Sequence, residues 1–306
     1  MIAASEIAES LGSLLLERRP GRARRFRRAV VDSRQAGRGD LFFALRGERH
    51  DGHEFAADAV RRGASGVIVQ QAPDALPADV AVFLVGDTLA ALQRLAAGRR
   101  DRRRAKVIGV TGSVGKTTTK EIAAAVLSTR HTVLKNEANY NNEIGLPLTL
   151  LGLTHRHDRA VLEMGMYAQG EIRALCEIAR PEVGVVTNVG PSHLERLGSL
   201  EAIAAAKAEL PESLPPHGFA VFNADDPLVM AMVDRTRAHP LTYGVSPKAD
   251  VRASDIRTRG LDGVSFRLGW RGESAKAQTR LPGRHIVSNA LAAAAVALAD
   301  GMSLRE

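Results

Sequence analysis

A chain of 306 residues, 45% hydrophobic and 25% charged, is long enough for two buried cores, and none of its apolar runs approaches the length of a membrane span. Its single cysteine, Cys176, excludes an internal disulfide framework and fits a reducing, cytoplasmic setting, while Glu6, Glu9 and Glu17 break up the region where a signal peptide would need an apolar run. The net charge of +8 comes largely from two arginine runs, Arg18 to Arg28 and Arg99 to Arg104, which carry no aromatic interleaving and read as solvated faces, so no nucleic-acid partner is expected.

In chain order, residues 3–16 read as a helix, 26–31 and 41–45 as strands, 54–62 as a helix, and 66–70 and 80–85 as strands. Together they form a small α/β domain over residues 1–86. Asp87 is placed to cap a helix running to about residue 104, which opens a second domain over 87–306. There, strands at 106–110, 159–163, 183–187 and 218–222 alternate with helices at 117–129, 168–179, 199–210 and 227–236. Such alternation predicts a mostly parallel sheet covered on both faces, with ligands beyond the carboxyl ends of the strands. Residues 250–280 alternate with period two around Asp262-Gly263 and predict antiparallel strands, and a last alanine-rich helix covers 286–298.

The most informative segment is Val107-Ile-Gly-Val-Thr-Gly-Ser-Val-Gly-Lys-Thr-Thr-Thr119. A buried strand breaks into a loop and resumes as a helix, the order a polyphosphate cradle requires. Gly112 and Gly115 let the backbone around Ser113 and Val114 turn its N–H groups toward phosphate, the helix opening at Lys116, Thr117 and Thr118 adds its positive end, Lys116 can reach a terminal phosphate and Thr117 can ligate Mg2+. The commonest form of this loop has a glycine where Val110 stands.

Four later segments end strands or open helices on the same expected sheet edge. Asn139, Asn141 and Asn142 offer neutral donors and acceptors to a sugar or phosphate, although asparagine-rich turns also arise for local reasons. Glu163 ends a buried strand and is either a Mg2+ ligand or a solvated strand-end acid. His193 follows another apolar strand, where a second metal ligand and an ordinary loop histidine fit equally well. Lys207 shares a helical stripe with Leu200, Ile203 and Leu210; it either snorkels or, desolvated and neutral, reacts with CO2 to give a carbamate. His155 and His157 lie in a charged run and read as a solvated loop, and Cys176 falls at core spacing with Ile172, Leu175 and Ala179.

Gly112-Ser-Val-Gly-Lys-Thr-Thr-Thr-Lys-Glu121 and Asn139-Tyr-Asn-Asn-Glu-Ile-Gly-Leu-Pro-Leu-Thr-Leu-Leu151, with the strand-end and helical segments that follow, resemble the Mur ligase family of ATP-dependent amino-acid ligases in peptidoglycan precursor synthesis. Asp32-Ser-Arg34, Gly39 to Gly47 and Asp51-Gly-His53 are similar to the family's N-terminal, UDP-substrate-binding domain, so Ser33 and Arg34 are expected at the substrate. The resemblance implies that UDP-N-acetylmuramoyl-tripeptide and D-alanyl-D-alanine are joined through an acyl phosphate. It further implies that Lys116 and Thr117 hold ATP and Mg2+, that Glu163 and His193 hold metal, that Lys207 is a carbamylated lysine and that Asn289 lies near the adenine, with Ile286 where another asparagine is usual. Family members carry a third domain, and this chain ends at Glu306 where that domain would begin. Binding is therefore expected to outlast ligation unless a separate chain completes the site. A monomer is expected. The competing readings are another Mur-type amino-acid ligase and a non-catalytic nucleotide or UDP-sugar binder.

Overall fold

The computed structural model describes every residue except 48, 49, 72–75, 138 and 193. Met1–Arg104 with Pro147–His155 form one compact unit, and Ala105–Leu146 with Arg156–Glu306 form the other. The helix Thr88–Arg103 thus belongs to the first unit, although the boundary was expected near residue 86. Asp87 caps it as anticipated, accepting from the N–H groups of Leu89 and Ala90 at 2.8 and 3.0 Å.

This helix also corrects the reading of the second arginine run. Arg99 is only 1% exposed. Its guanidinium donates to both carboxylate oxygens of Glu6 at 3.0 and 2.8 Å, to the Leu153 carbonyl at 2.9 Å and to the Met1 carbonyl at 3.1 Å. A buried cation is tolerated when its donors are filled in this way, so part of the run lies in the core.

The first unit is built on five strands in the order Leu15–Arg19, Ala81–Val85, Gly66–Val69, Leu41–Phe43, Ala29–Val30, with only the first pair antiparallel. Gly66–Val69 and Leu41–Phe43 are wholly buried, as apolar strands covered on both faces must be. The helix expected over 3–16 is limited to Ala4–Leu11 because Gly12 turns to φ 50° and stops it. Leu15–Arg19 leaves as an edge strand with four of its five residues exposed, and its charges discourage pairing with another sheet. The expected 54–62 helix begins as a 3-10 turn, Gly52–Phe55, before Ala56–Arg61.

The second unit carries a nine-stranded sheet in the order Glu273–Thr279, Val264–Trp270, Val251–Thr258, His239–Gly244, Phe219–Asn223, Val183–Val186, Lys106–Thr111, Arg159–Glu163, Val133–Lys135. The last seven run parallel and the first three are joined antiparallel, which bears out the mixed sheet read from the sequence. Two parallel strands and the helix Gly145–Leu151 were missed. Val133–Lys135 is too short to show a period, and His239–Gly244 contains Pro240, which argues against a central strand. Pro240 is tolerated because only Tyr243 and Gly244 pair with the next strand, so at Pro240 the sheet has one neighbour. The helix expected over 227–236 divides into Pro227–Met230 and the 3-10 turn Val233–Arg235.

Helices Lys116–Leu127 and Ile286–Ala299 share a core with the sheet through Ala123, Ala124, Leu127, Leu291, Ala292 and Ala295. Alanines let the two backbones approach, and Leu291, fully buried, fills the space between; cutting it to alanine should cost roughly 2–5 kcal/mol. At the amino ends of the strands the Asp300 carboxylate, with no exposed side-chain surface, meets Lys106 at 3.0 Å, Arg159 at 2.9 Å and His131 at 3.0 Å.

Candidate active site

Parallel pairing brings three strand ends together. Val110 lies opposite Glu163, and Thr111 lies opposite Val186, so the loop after Lys106–Thr111 is flanked by the carboxyl ends of both neighbours. This is where chain direction across the sheet reverses, the usual ligand position in open α/β sheets.

The loop is shaped by close packing. Gly112 takes φ 145°, and a Cβ there would lie 1.9 Å from the Thr187 hydroxyl. Gly115 takes φ 84°, and a Cβ would come within 2.7 Å of Asn289 Oδ1. Asn188 grips the Val114 backbone at two points, accepting from its N–H at 2.9 Å and donating to its carbonyl at 2.8 Å, while the Thr187 hydroxyl donates to the same carbonyl at 2.7 Å. Ser113 Oγ accepts from the Gly190 N–H at 2.8 Å. The loop therefore meets the twelve-residue helix Lys116–Leu127 with its backbone held from outside, and the first turn of that helix, with Thr117 and Thr118, presents N–H groups and a positive dipole end.

Lys116 Nζ donates to the carbonyls of Gly112 and Ser113 at 2.9 and 3.1 Å. Burial lowers its pKa, and the charge of Glu163 opposes that shift. Glu163, 3% exposed, accepts from the Thr117 hydroxyl at 2.7 Å on one oxygen and from Asn141 Nδ2 at 2.8 Å on the other. It is a buried strand-end acid, not a solvated one.

Lys207 lies on Leu200–Glu212, capped by Ser199, which accepts from the Ala202 N–H at 3.1 Å. The stripe read from the sequence is buried at Ile203, Lys207 and Leu210, while Leu200 is exposed. Lys207 is 2% exposed, and among the described residues no hydrogen bond or ion pair reaches its ammonium. Its pKa falls to about 7, first because burial strips water from the charge and second because Lys116 repels it. Two residues on, Glu209 accepts from the N–H groups of Gly170 and Arg173 at 2.6 and 3.0 Å and anchors the start of helix Glu171–Ala179.

One open cavity is lined by Gly112, Lys116, Asn141, Asn142, Tyr167 and Lys207, among others. Asn142 has a structural task as well, its Oδ1 accepting from the Gly145 N–H at 2.9 Å; Asn139 is exposed. Asn289 sits behind the loop, where its Oδ1 accepts from the Thr119 hydroxyl at 3.4 Å, and Ile286 is buried at the start of the same helix. His193 lies outside the described residues. Cys176 packs at 3.9 Å from Met164 sulfur.

Among the described residues no three His, Cys, Asp or Glu side chains gather to hold a metal. Thr117 Oγ and a Glu163 oxygen, both hard donors and 2.7 Å apart beside the loop, nevertheless suit Mg2+, which takes one or two carboxylates and fills its remaining positions with water and phosphate oxygens. The sequence reading picked out neither Thr187 nor Asn188. Their signal was faint: a Thr-Asn pair directly after a buried strand.

In the first unit, Arg34 is gripped by Asp32, which accepts from its N–H at 3.0 Å and from its guanidinium at 2.8 Å, yet 82% of the Arg34 side chain stays exposed. Ser33 is buried. His53 Nε2 accepts from the Gln70 N–H at 2.7 Å while its Nδ1 faces Asp51, so the carboxylate holds the ring in a single tautomer.

With this geometry in place, comparison with known proteins assigns a family. The model of the Mur ligase middle domain matches residues 110–297, more than half of the chain, and that of the Mur ligase family catalytic domain matches residues 29–100. The chain belongs to the Mur ligase family. A UDP-N-acetylmuramoyl-tripeptide–D-alanyl-D-alanine ligase of Synechocystis is 45% identical over 92% of this chain and 60% of its own length. Its Bacillus subtilis counterpart is 40% identical over 90% and 59%. Among solved structures, MurF of Acinetobacter baumannii superposes with a TM-score of 0.88 at 33% identity, over 99% of this chain and 65% of that one. MurF ligase of Thermotoga maritima in complex with ADP gives 0.79 at 33% identity, over 90% and 64%. The chain thus spans about 60% of the length of the curated relatives it matches. No helix among the described residues is long and apolar enough to cross a membrane.

Proposed function

We propose that this chain supplies the ATP-binding and UDP-substrate-binding parts of a ligase that joins D-alanyl-D-alanine to UDP-N-acetylmuramoyl-tripeptide. The observation that carries the reading is that Lys116 and Lys207 line one strand-end cavity together with Asn141, whose amide donates to Glu163, the acid paired with Thr117. The names of the relatives favour this substrate set over other Mur-type amines, and the ADP complex of a similar ligase favours an adenine nucleotide at the loop.

In the reaction, a substrate carboxylate oxygen attacks the γ-phosphorus of ATP and ADP leaves, giving an acyl phosphate. The amine of D-alanyl-D-alanine then attacks the acyl carbon, phosphate departs and the amine loses a proton. Both steps concentrate negative charge where Lys116 and the loop N–H groups can meet it. Mg2+, held by Thr117 and Glu163, with His193 as a further ligand, would supply additional charge neutralisation. Lys207, losing its proton near neutrality, attacks CO2 through the neutral amine and releases a proton, leaving a carbamate whose oxygens add a carboxylate to the site. Asn141 and Asn142 face the reacting groups, Asn289 supports the nucleotide side, and Ser33 and Arg34 in the first unit hold the UDP portion. The nucleotide substrates and the single buried cysteine accord with a cytoplasmic setting.

The test is calorimetry of the purified chain with MgATP and with UDP-N-acetylmuramoyl-tripeptide, with hydroxylamine added to trap any acyl phosphate for mass spectrometry. Binding of both ligands is expected, with MgATP binding weakened at least tenfold by Lys116→Ala. A chain that binds neither ligand refutes the reading.

A further inference from the structure

Asn136 and Lys120 are fully buried polar residues that the mechanism above does not use. Asn136 directly follows the edge strand Val133–Lys135, which pairs in parallel with Arg159–Glu163 only as far as Lys135 opposite Val161. Beyond that point the Asn136 side chain continues the sheet in place of backbone. Its Oδ1 accepts from the Glu163 N–H at 2.9 Å and its Nδ2 donates to the Glu163 carbonyl at 3.0 Å. The same Nδ2 donates to the Tyr140 carbonyl at 2.8 Å, next to Asn141, whose own carbonyl accepts from the Gly165 N–H at 2.8 Å.

The Asn136 backbone is fixed in turn. Its carbonyl accepts from Lys120 Nζ at 2.6 Å, and Lys120 lies one helical turn beyond Thr117, the residue that donates to the Glu163 carboxylate. The four residues close a ring: Thr117 to Glu163 side chain, Glu163 backbone to Asn136 side chain, Asn136 backbone to Lys120, and Lys120 along the helix back to Thr117. The lysine ammonium has a second acceptor in Glu121 at 3.2 Å, so the buried charge is not left alone.

We infer that Asn136 and Lys120 are positioning residues that set the Glu163 carboxylate and the Asn141 amide for the magnesium side of the nucleotide site. This rests on the reading that Glu163 holds Mg2+. A carboxylate fixed by its side chain alone can swing about its backbone; one whose N–H and C=O are both clamped from the side has its Cα fixed as well. The phosphate loop is held separately, by Thr187, Asn188 and Ser113, so the two halves of the site can be uncoupled by mutation.

The experiment measures ADP affinity by calorimetry, with Mg2+ and with chelator, for the wild-type chain, Asn136→Ala and Lys120→Met. Asn136→Ala is expected to lose at least tenfold of the magnesium-dependent gain in affinity while its magnesium-free affinity stays within twofold, and Lys120→Met to lose about threefold. If the alanine variant does not fold, Asn136→Ser, whose hydroxyl can satisfy one of the two Glu163 backbone groups, is read in its place and should lose part of the gain. A gain retained within twofold, or a fall of equal size with and without Mg2+, overturns the inference. A wild-type chain with no magnesium-dependent gain overturns the assignment of Glu163 instead, so the two failures are distinct.

Discussion

The Thr117 hydroxyl and the Glu163 carboxylate meet at 2.7 Å, joining the first turn of the loop helix to the end of the neighbouring strand. Because Glu163 is buried, Thr117→Val leaves one of its oxygens without that donor. The expected cost is about 1–3 kcal/mol of stability, read from denaturant unfolding, together with weaker MgADP binding. Unchanged unfolding and unchanged MgADP affinity in this variant would remove the pair from the site.

Gly112→Ala tests the loop itself. The new methyl would collide with the Thr187 hydroxyl in a backbone conformation that only glycine adopts readily. Nucleotide affinity should fall at least tenfold with or without Mg2+, and adding Thr187→Gly should restore only part of it, because the backbone strain remains. A single Gly112→Ala variant with wild-type affinity would mean that the loop tolerates another shape.

Lys207 predicts a pH dependence. Its amine should be about one-tenth neutral at pH 6 and about nine-tenths neutral at pH 8, given a pKa of about 7 in the folded chain. Incorporation of labelled CO2 as a carbamate, followed by carbon NMR, should therefore rise through pH 7 and vanish in Lys207→Met. Since the folded pKa lies below the ordinary 10.5, the unfolded chain binds this proton more tightly, and the residue's contribution to stability rises with pH between about 7 and 10.5 and is lowest below 7. A carbamate signal that persists in Lys207→Met would place the modification elsewhere.

Cys176 should be inert. Burial pushes its thiol up to about 12, so almost no thiolate exists at pH 8. Alkylation by iodoacetamide is expected to be at least a hundredfold slower in the native chain than in denaturant. Labelling at equal rates in both would show the thiol to be accessible.

Much of the site was legible because it is local. Strand, glycine loop and helix follow one another at 107–119, Glu163 ends an apolar run, and Lys207 stands out as a charge on a buried stripe. Asn136, Thr187 and Asn188 were not singled out because their value lies in backbone groups distant in sequence, fixed only when strand register is known. Nothing in the local pattern distinguishes Asn136 from an ordinary turn asparagine. The arginine run 99–104 misled for a similar reason: its first member is neutralised by Glu6, far away along the chain. The short edge strand Val133–Lys135 and the proline-bearing strand His239–Gly244 broke propensity rules that pairing with neighbours overrides.

Asp300 joins parts of the second unit that are far apart in sequence: Lys106 and Arg159 begin adjacent strands, and His131 precedes a third. Helix Ile286–Ala299 therefore cannot peel away without breaking contacts to all three. Its innermost amide hydrogens should exchange with solvent only when the central strands open too, so that helix and sheet share one opening free energy and the floor beneath the phosphate loop behaves as a single foldon.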